Sequence, residues 1–127
     1  MDKRLILKHV LVEPSFRGAE ATVELTLDDR EAVGHHAGPA ATSENNLAVV
    51  GEATVKAVTK FLPSNIDLSL EKIMKAPDVV YAKENFRSPK ETAPLWGIAP
   101  LAEDVPGSVA RAVLSAINRR SSLVFAN

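Results

Sequence analysis

Two segments of this chain echo each other at an offset of 59 residues: Glu52-Ala53-Thr54-Val55-Lys56-Ala57-Val58-Thr59-Lys60 and Arg111-Ala112-Val113-Leu114-Ser115-Ala116-Ile117-Asn118-Arg119. Both place apolar residues at helical spacing, and each follows a strand-like stretch that carries a glycine, Gly34 or Gly97. The two glycines match after a four-residue adjustment. Self-similarity at a fixed offset is the signature of a duplicated supersecondary unit, and it limits the fold more than any composition does. The alternative is chance likeness between two amphipathic helices. A chain of 127 residues has the length of one ordinary domain. The expected fold is α+β: two tandem β-β-(β)-α units with antiparallel sheet pairing and two helices packed on one face. The halves fall at about 1–63 and 64–120, and 121–127 forms a tail.

Periodicity fills in the units. Leu5–Val12 is rich in strand formers and bounded by Pro14 and Gly18. In Ala21–Leu27 the residues Ala21, Val23, Leu25 and Leu27 share one face while Thr22, Glu24 and Thr26 share the other, the clearest period of two in the chain. Asp28-Asp29 reads as a tight turn into Arg30–Gly34, with Gly38-Pro39 ending that strand. Thr42-Ser43-Glu44 is a helix start, and Pro63 stops the run that follows. Gly51 inside this helix implies close packing on the sheet.

In the second half Ile66, Leu68 and Leu70 alternate, and Val79–Ala82 opens a strand. Arg87–Lys90 is polar enough for a loop, and Pro94–Ala99 reads as a last strand with its proline at the start. Asp104 caps the final helix, with Pro106 in its first turn and Val109, Val113, Ala116, Ile117 and Arg120 along its inner edge.

Composition excludes several classes of function. Fifteen basic residues against sixteen acidic ones leave no basic excess for a nucleic acid. With no cysteine, disulfides, iron–sulfur clusters, thiolate zinc sites and cysteine nucleophiles are all ruled out. Met1–His9 lacks the apolar run of a signal peptide, and no stretch approaches the ~20 apolar residues that cross a bilayer. The expected setting is cytoplasmic, with no membrane and no nucleic-acid partner.

Chemistry-bearing patterns are sparse. His35-His36, if part of the preceding strand, point to opposite faces and cannot both hold one metal; His9 is the only other histidine. No metal site and no cofactor are expected. There is no G-x-S-x-G elbow, Walker loop or dinucleotide fingerprint. Asp28-Asp29 and Glu103-Asp104 sit where a turn and a cap want acids, and Arg119-Arg120 fits a solvated helix C-terminus. Trp96, the single tryptophan, is either a core anchor or an interface anchor, with the core reading preferred. Lys83, Arg87 and Lys90 near it read as solvated loop charges.

Two stretches carry a family likeness. Val23–Gly34 followed by Gly38-Pro39-Ala40, and Gly97 with Asp104 and Ala110–Arg119, resemble the C-terminal regulatory domain of 2-isopropylmalate synthase. The likeness covers most of the chain through short motifs. It implies two similar strand-rich units, each closed by a helix, a domain that pairs across a dimer, leucine bound near that interface, and no catalysis. The family's catalytic barrel and its metal-binding histidines have no counterpart in this sequence, and Asn85–Thr92 is more charged than the likeness would lead one to expect. The motif match singles out Gly34, Gly38, Pro39 and Gly97.

These observations lead to a non-catalytic module, a homodimer that binds a small metabolite or a partner protein. The ligand-binding candidates are Gly34, His35, His36, Gly38, Trp96 and Gly97. One alternative is a structural or interaction module without a small ligand; a further one is a small enzyme with His35 or His36 as base.

Overall fold

A computed structural model of the chain describes residues 4–16, 18–39 and 43–120, with residues 43–46 described as backbone only. Its elements run β1 (Ile6–Ser15), β2 (Gly18–Leu27), β3 (Arg30–Gly38), α1 (Ser43–Thr59), β4 (Asp67–Lys75), β5 (Val79–Arg87), β6 (Thr92–Pro100) and α2 (Val105–Asn118). They form two antiparallel three-stranded sheets, ordered β1-β2-β3 and β4-β5-β6, each followed by a helix. The architecture is α+β with two tandem β-β-β-α units.

The middle strands carry the alternation that sets each sheet on its helix. Ala21, Val23, Leu25 and Leu27 of β2 are fully buried, as are Val80 and Ala82 of β5. Each helix packs on its own sheet and also on the first strand of the other unit, α1 on β4 and α2 on β1, and the helices touch each other. One hydrophobic cluster therefore runs through both halves. Along each helix an accessible stripe includes Glu52, Lys56 and Thr59 on α1, and Arg111, Ser115 and Asn118 on α2. These two triplets match at the offset of the sequence echo.

Register extends the echo to the strands. Val23 pairs with Gly34 as Ala82 pairs with Gly97. A Cβ at Gly34 would collide with the Ala53 carbonyl oxygen and the Ala57 amide nitrogen, and a Cβ at Gly97 with the Ala112 carbonyl oxygen and the Ala116 amide nitrogen. Ala53 and Ala57 are the echo partners of Ala112 and Ala116, so the same strand–helix contact occurs twice. Only glycine lets the two backbones come this close. The first strands also share a register shift, between Leu7 and His9 in β1 and between Leu70 and Lys72 in β4, which makes Lys8 and Glu71 the bulged residues.

Local details bear out some sequence expectations and correct others. Asp28 turns the β2–β3 hairpin at a φ of 56°, a left-handed conformation that aspartate tolerates. Gly51 packs closely, as expected, but against Leu70 and Ile73 of β4 in the other unit. The Asp104 side chain accepts a hydrogen bond from the Gly107 amide at 3.1 Å, the expected cap. Pro14 does not bound the first strand: β1 runs on to Ser15, with Pro14 opposite Ala19. Pro94 stands third in β6, where an edge position spares the missing N–H. Lys83 and Arg87 belong to β5, which is longer than Val79–Ala82. Arg120 is neither a solvated end nor an inner-edge residue: it pairs with Glu91 and lies over the Phe86 ring at 5.1 Å. Thr42 and the tail from Ser121 lie outside the described residues.

Candidate functional site on the outer face of the second sheet

The face of β4-β5-β6 turned away from the helices carries two cross-strand rows. One runs Lys72–Lys83–Trp96 and the next Met74–Tyr81–Ile98. Gly97 must face α2, so its neighbours Trp96 and Ile98 must face outward. Trp96 is 44% exposed, and Met74 and Ile98 are each 41% exposed, so the expected core role of Trp96 is corrected to an outward one. The sequence could not decide this, because β6 is apolar on both parities. Both lysines lie over the indole, Lys83 at 5.3 Å and Lys72 at 5.7 Å from the ring centroid.

Lys72 and Lys83 stand directly opposite each other, a like-charge pairing that destabilises a sheet. Glu71 at the bulge relieves it by pairing with Lys83 at 2.8 Å. The Lys83 ammonium in turn holds the Glu71 carboxyl below its usual range. Met74, Tyr81, Trp96, Gly97, Ile98 and Arg119 line an open, shallow recess of about 500 Å³. Arg119, from the end of α2, forms no ion pair with the described residues, and neither does Lys72.

The histidine pair divides between faces, as strand alternation requires. His35 lies outward on β3 with Nε2 at 2.5 Å from Glu20 Oε1 and Nδ1 at 3.1 Å from Thr22 Oγ1. Hydroxyl, imidazole and carboxylate stand in the order used to activate a nucleophile. They do so on an exposed sheet face, with the His35 and Glu20 side chains open to water. His36 turns toward α1, where the Lys56 ammonium lies 2.9 Å from its Nδ1. Partial burial and the Lys56 charge lower its pKa, favouring the neutral ring. No group of three or more His, Asp or Glu side chains among the described residues could hold a metal ion.

Of the sequence candidates, Trp96 and Gly97 therefore line one recess, while Gly34, His35, His36 and Gly38 lie on the other sheet. Gly34 and Gly97 are accounted for by helix packing; Gly38 meets Val49 and the His36 ring at ordinary contact distance. Sequence reading missed Lys72, Met74, Tyr81, Lys83, Ile98 and Arg119 as a site. The one signal that could have found them is the Gly34–Gly97 match, which fixes the outward parity of β6.

A second unexpected feature lies beneath the sheet. Glu84, on the helix side of β5 between Leu70 and Leu95, is 0% exposed, and neither carboxyl oxygen has a hydrogen-bond partner among the described residues. Burial alone pushes its pKa well above the ordinary 4.5. The equivalent position in the first sheet is Leu25, between Leu7 and Ala32.

No helix among the described residues is long and apolar enough to cross a membrane. No protein-family model matches this chain, and no curated protein matches its sequence.

Proposed function

We propose that this chain is a non-catalytic binding module that works as a homodimer and takes a small metabolite or a partner protein. The observation that carries the reading is the outward apolar face around Trp96. A tryptophan, a tyrosine, a methionine and an isoleucine gathered at one place on a sheet are what binding surfaces use and what a solvated sheet avoids. Each sheet also leaves edge strands, a common reason for two chains to pair. The recess joins these apolar side chains to a guanidinium, Arg119, which favours a metabolite over a bare interaction surface.

The test is a thermal-shift screen of amino acids, 2-oxo acids and nucleotides at two protein concentrations, with sedimentation velocity alongside. A ligand at a hundred times its Kd adds about 2.7 kcal/mol, enough to raise Tm by several degrees. A dimer raises Tm with protein concentration and sediments as twice 13.6 kDa. No ligand shift together with a monomer at every concentration overturns the proposal.

A further inference from the structure

The recess around Trp96 combines apolar walls with two cations, Arg119 and Lys72, that form no ion pair with the described residues. Its walls are the Met74, Tyr81, Trp96 and Ile98 side chains, and its charged lining group is the Arg119 guanidinium. Lys72 and Lys83 stand over the indole beside it; Glu71 forms its ion pair with Lys83 and feels the Lys72 charge more weakly. Among the described residues no acid lines the recess. The matching rows of the first sheet are His9–Glu24–Val33 and Leu11–Thr22–His35, which present an acid where the second sheet presents Lys83. The cationic, aromatic character therefore belongs to one face and does not come with the fold.

We infer that this recess binds a small monocarboxylate with an apolar, branched or aromatic body and no ammonium group. The inference rests on the proposed binding function and names its ligand class. The guanidinium offers a planar pair of donors matched to a carboxylate. The body lies on Trp96, Met74 and Ile98, removing exposed apolar surface from water. An α-ammonium would meet Lys72 and Lys83, so free amino acids are disfavoured. A nucleotide's sugar and base edges find few polar partners on these walls. At about 500 Å³ the recess takes a compact molecule.

Trp96 is the only tryptophan, so intrinsic fluorescence of the full chain reports this site alone. The titrants are 3-phenylpropionate, its neutral amide, phenylalanine and acetate. The expected result is a saturable change with 3-phenylpropionate, with the amide, phenylalanine and acetate all much weaker. Arg119→Gln should raise Kd about tenfold, the loss expected of one charge-assisted hydrogen bond, and leave Tm unchanged. Lys72→Gln should weaken the acid and bring phenylalanine closer to it. Equal binding of acid and amide, an unchanged Kd in Arg119→Gln, or no saturable response to the acid up to millimolar concentration would each overturn the inference. If the acid fails while the thermal screen finds another ligand or a dimer, this inference falls and the binding function stands. Binding of the acid to a monomer would retain the ligand class and remove the dimer.

Discussion

Lys8 and Glu71 occupy the same bulge in their respective sheets, and their partners are reversed to match. Lys8 pairs with Glu31 at 2.6 Å and approaches Glu24 at 3.8 Å, whereas Glu71 pairs with Lys83, the position equivalent to Glu24. The same inversion recurs elsewhere. Leu25 fills the core of the first unit where Glu84 is buried in the second. Asn118 on α2 holds the Leu5 backbone from both sides: the Leu5 amide donates to Asn118 Oδ1 at 2.9 Å, and Asn118 Nδ2 donates to the Leu5 carbonyl at 3.0 Å. Its counterpart Thr59 only bonds back to the Lys56 carbonyl of its own helix. What the two halves share are the devices that fix the backbone: the packing glycine, the bulge and the accessible stripe of the helix. What differs are side chains whose substitution leaves the backbone path intact, and these confine the apolar, cationic recess to one sheet.

If Gly34 and Gly97 are equivalent, they should fail equally. Gly34→Ala and Gly97→Ala each drive a methyl into helix backbone that cannot rotate aside. Each should cost about 3 kcal/mol or more, as overpacking of a tight contact does. Chemical denaturation of both variants checks this. A tolerated alanine at either site would break the equivalence.

The Leu25–Glu84 difference makes a smaller, pH-dependent prediction. Glu84→Leu copies the first unit and removes a buried, unpartnered carboxyl, so the chain should gain about 1–3 kcal/mol at neutral pH. In the folded chain Glu84 holds its proton well above pH 4.5, while unfolding returns the carboxyl to its ordinary range. The native state therefore binds more protons than the unfolded state above about pH 4.5. That contribution is complete below pH 4.5 and is lost as pH rises toward the raised folded-state pKa. Desolvation by burial is the cause of the shift. Glu71, whose pKa is lowered, acts in the opposite sense and loses its contribution in acid. Denaturation curves of the wild type and of Glu84→Leu between pH 4 and 8 separate the two, because only the former should carry the alkaline loss. Parallel pH profiles would assign that loss to another group.

The smallest effect concerns the helix ends. Asn118→Ala should cost about 1–2 kcal/mol by releasing the half-buried Leu5 amide and carbonyl. Thr59→Ala should stay within about 0.5 kcal/mol. Hydrogen exchange at the Leu5 amide gives the local readout, with faster exchange expected in Asn118→Ala alone.

Much of this fold was legible before any coordinates. Ala21–Leu27 alternates cleanly because one face of β2 meets the helices and the other meets water, and the buried set matches the sequence pattern residue for residue. The echo located both helices, and Asp104 marked the start of the second. Proline positions were less legible: Pro14 and Pro94 sit within edge strands, and nothing local marks a strand as an edge. The recess was nearly invisible, since its six contributors come from β4, β5, β6 and the end of α2.

The amino-acid order carries whatever depends on short-range periodicity, steric fit or capping: strand and helix identity, the turn at Asp28-Asp29, the duplication and the need for glycine at two points. Pairing across strands decided the rest. Trp96 faces outward because Gly97 must face α2, and Lys72 meets Lys83 and Trp96 only through a register shifted by one residue at Glu71. Glu84 is buried because the alternation of β5 gives every second residue to the core, whatever its polarity. Parity along a strand is local, but which parity faces the helix is fixed by contacts between residues distant in the chain.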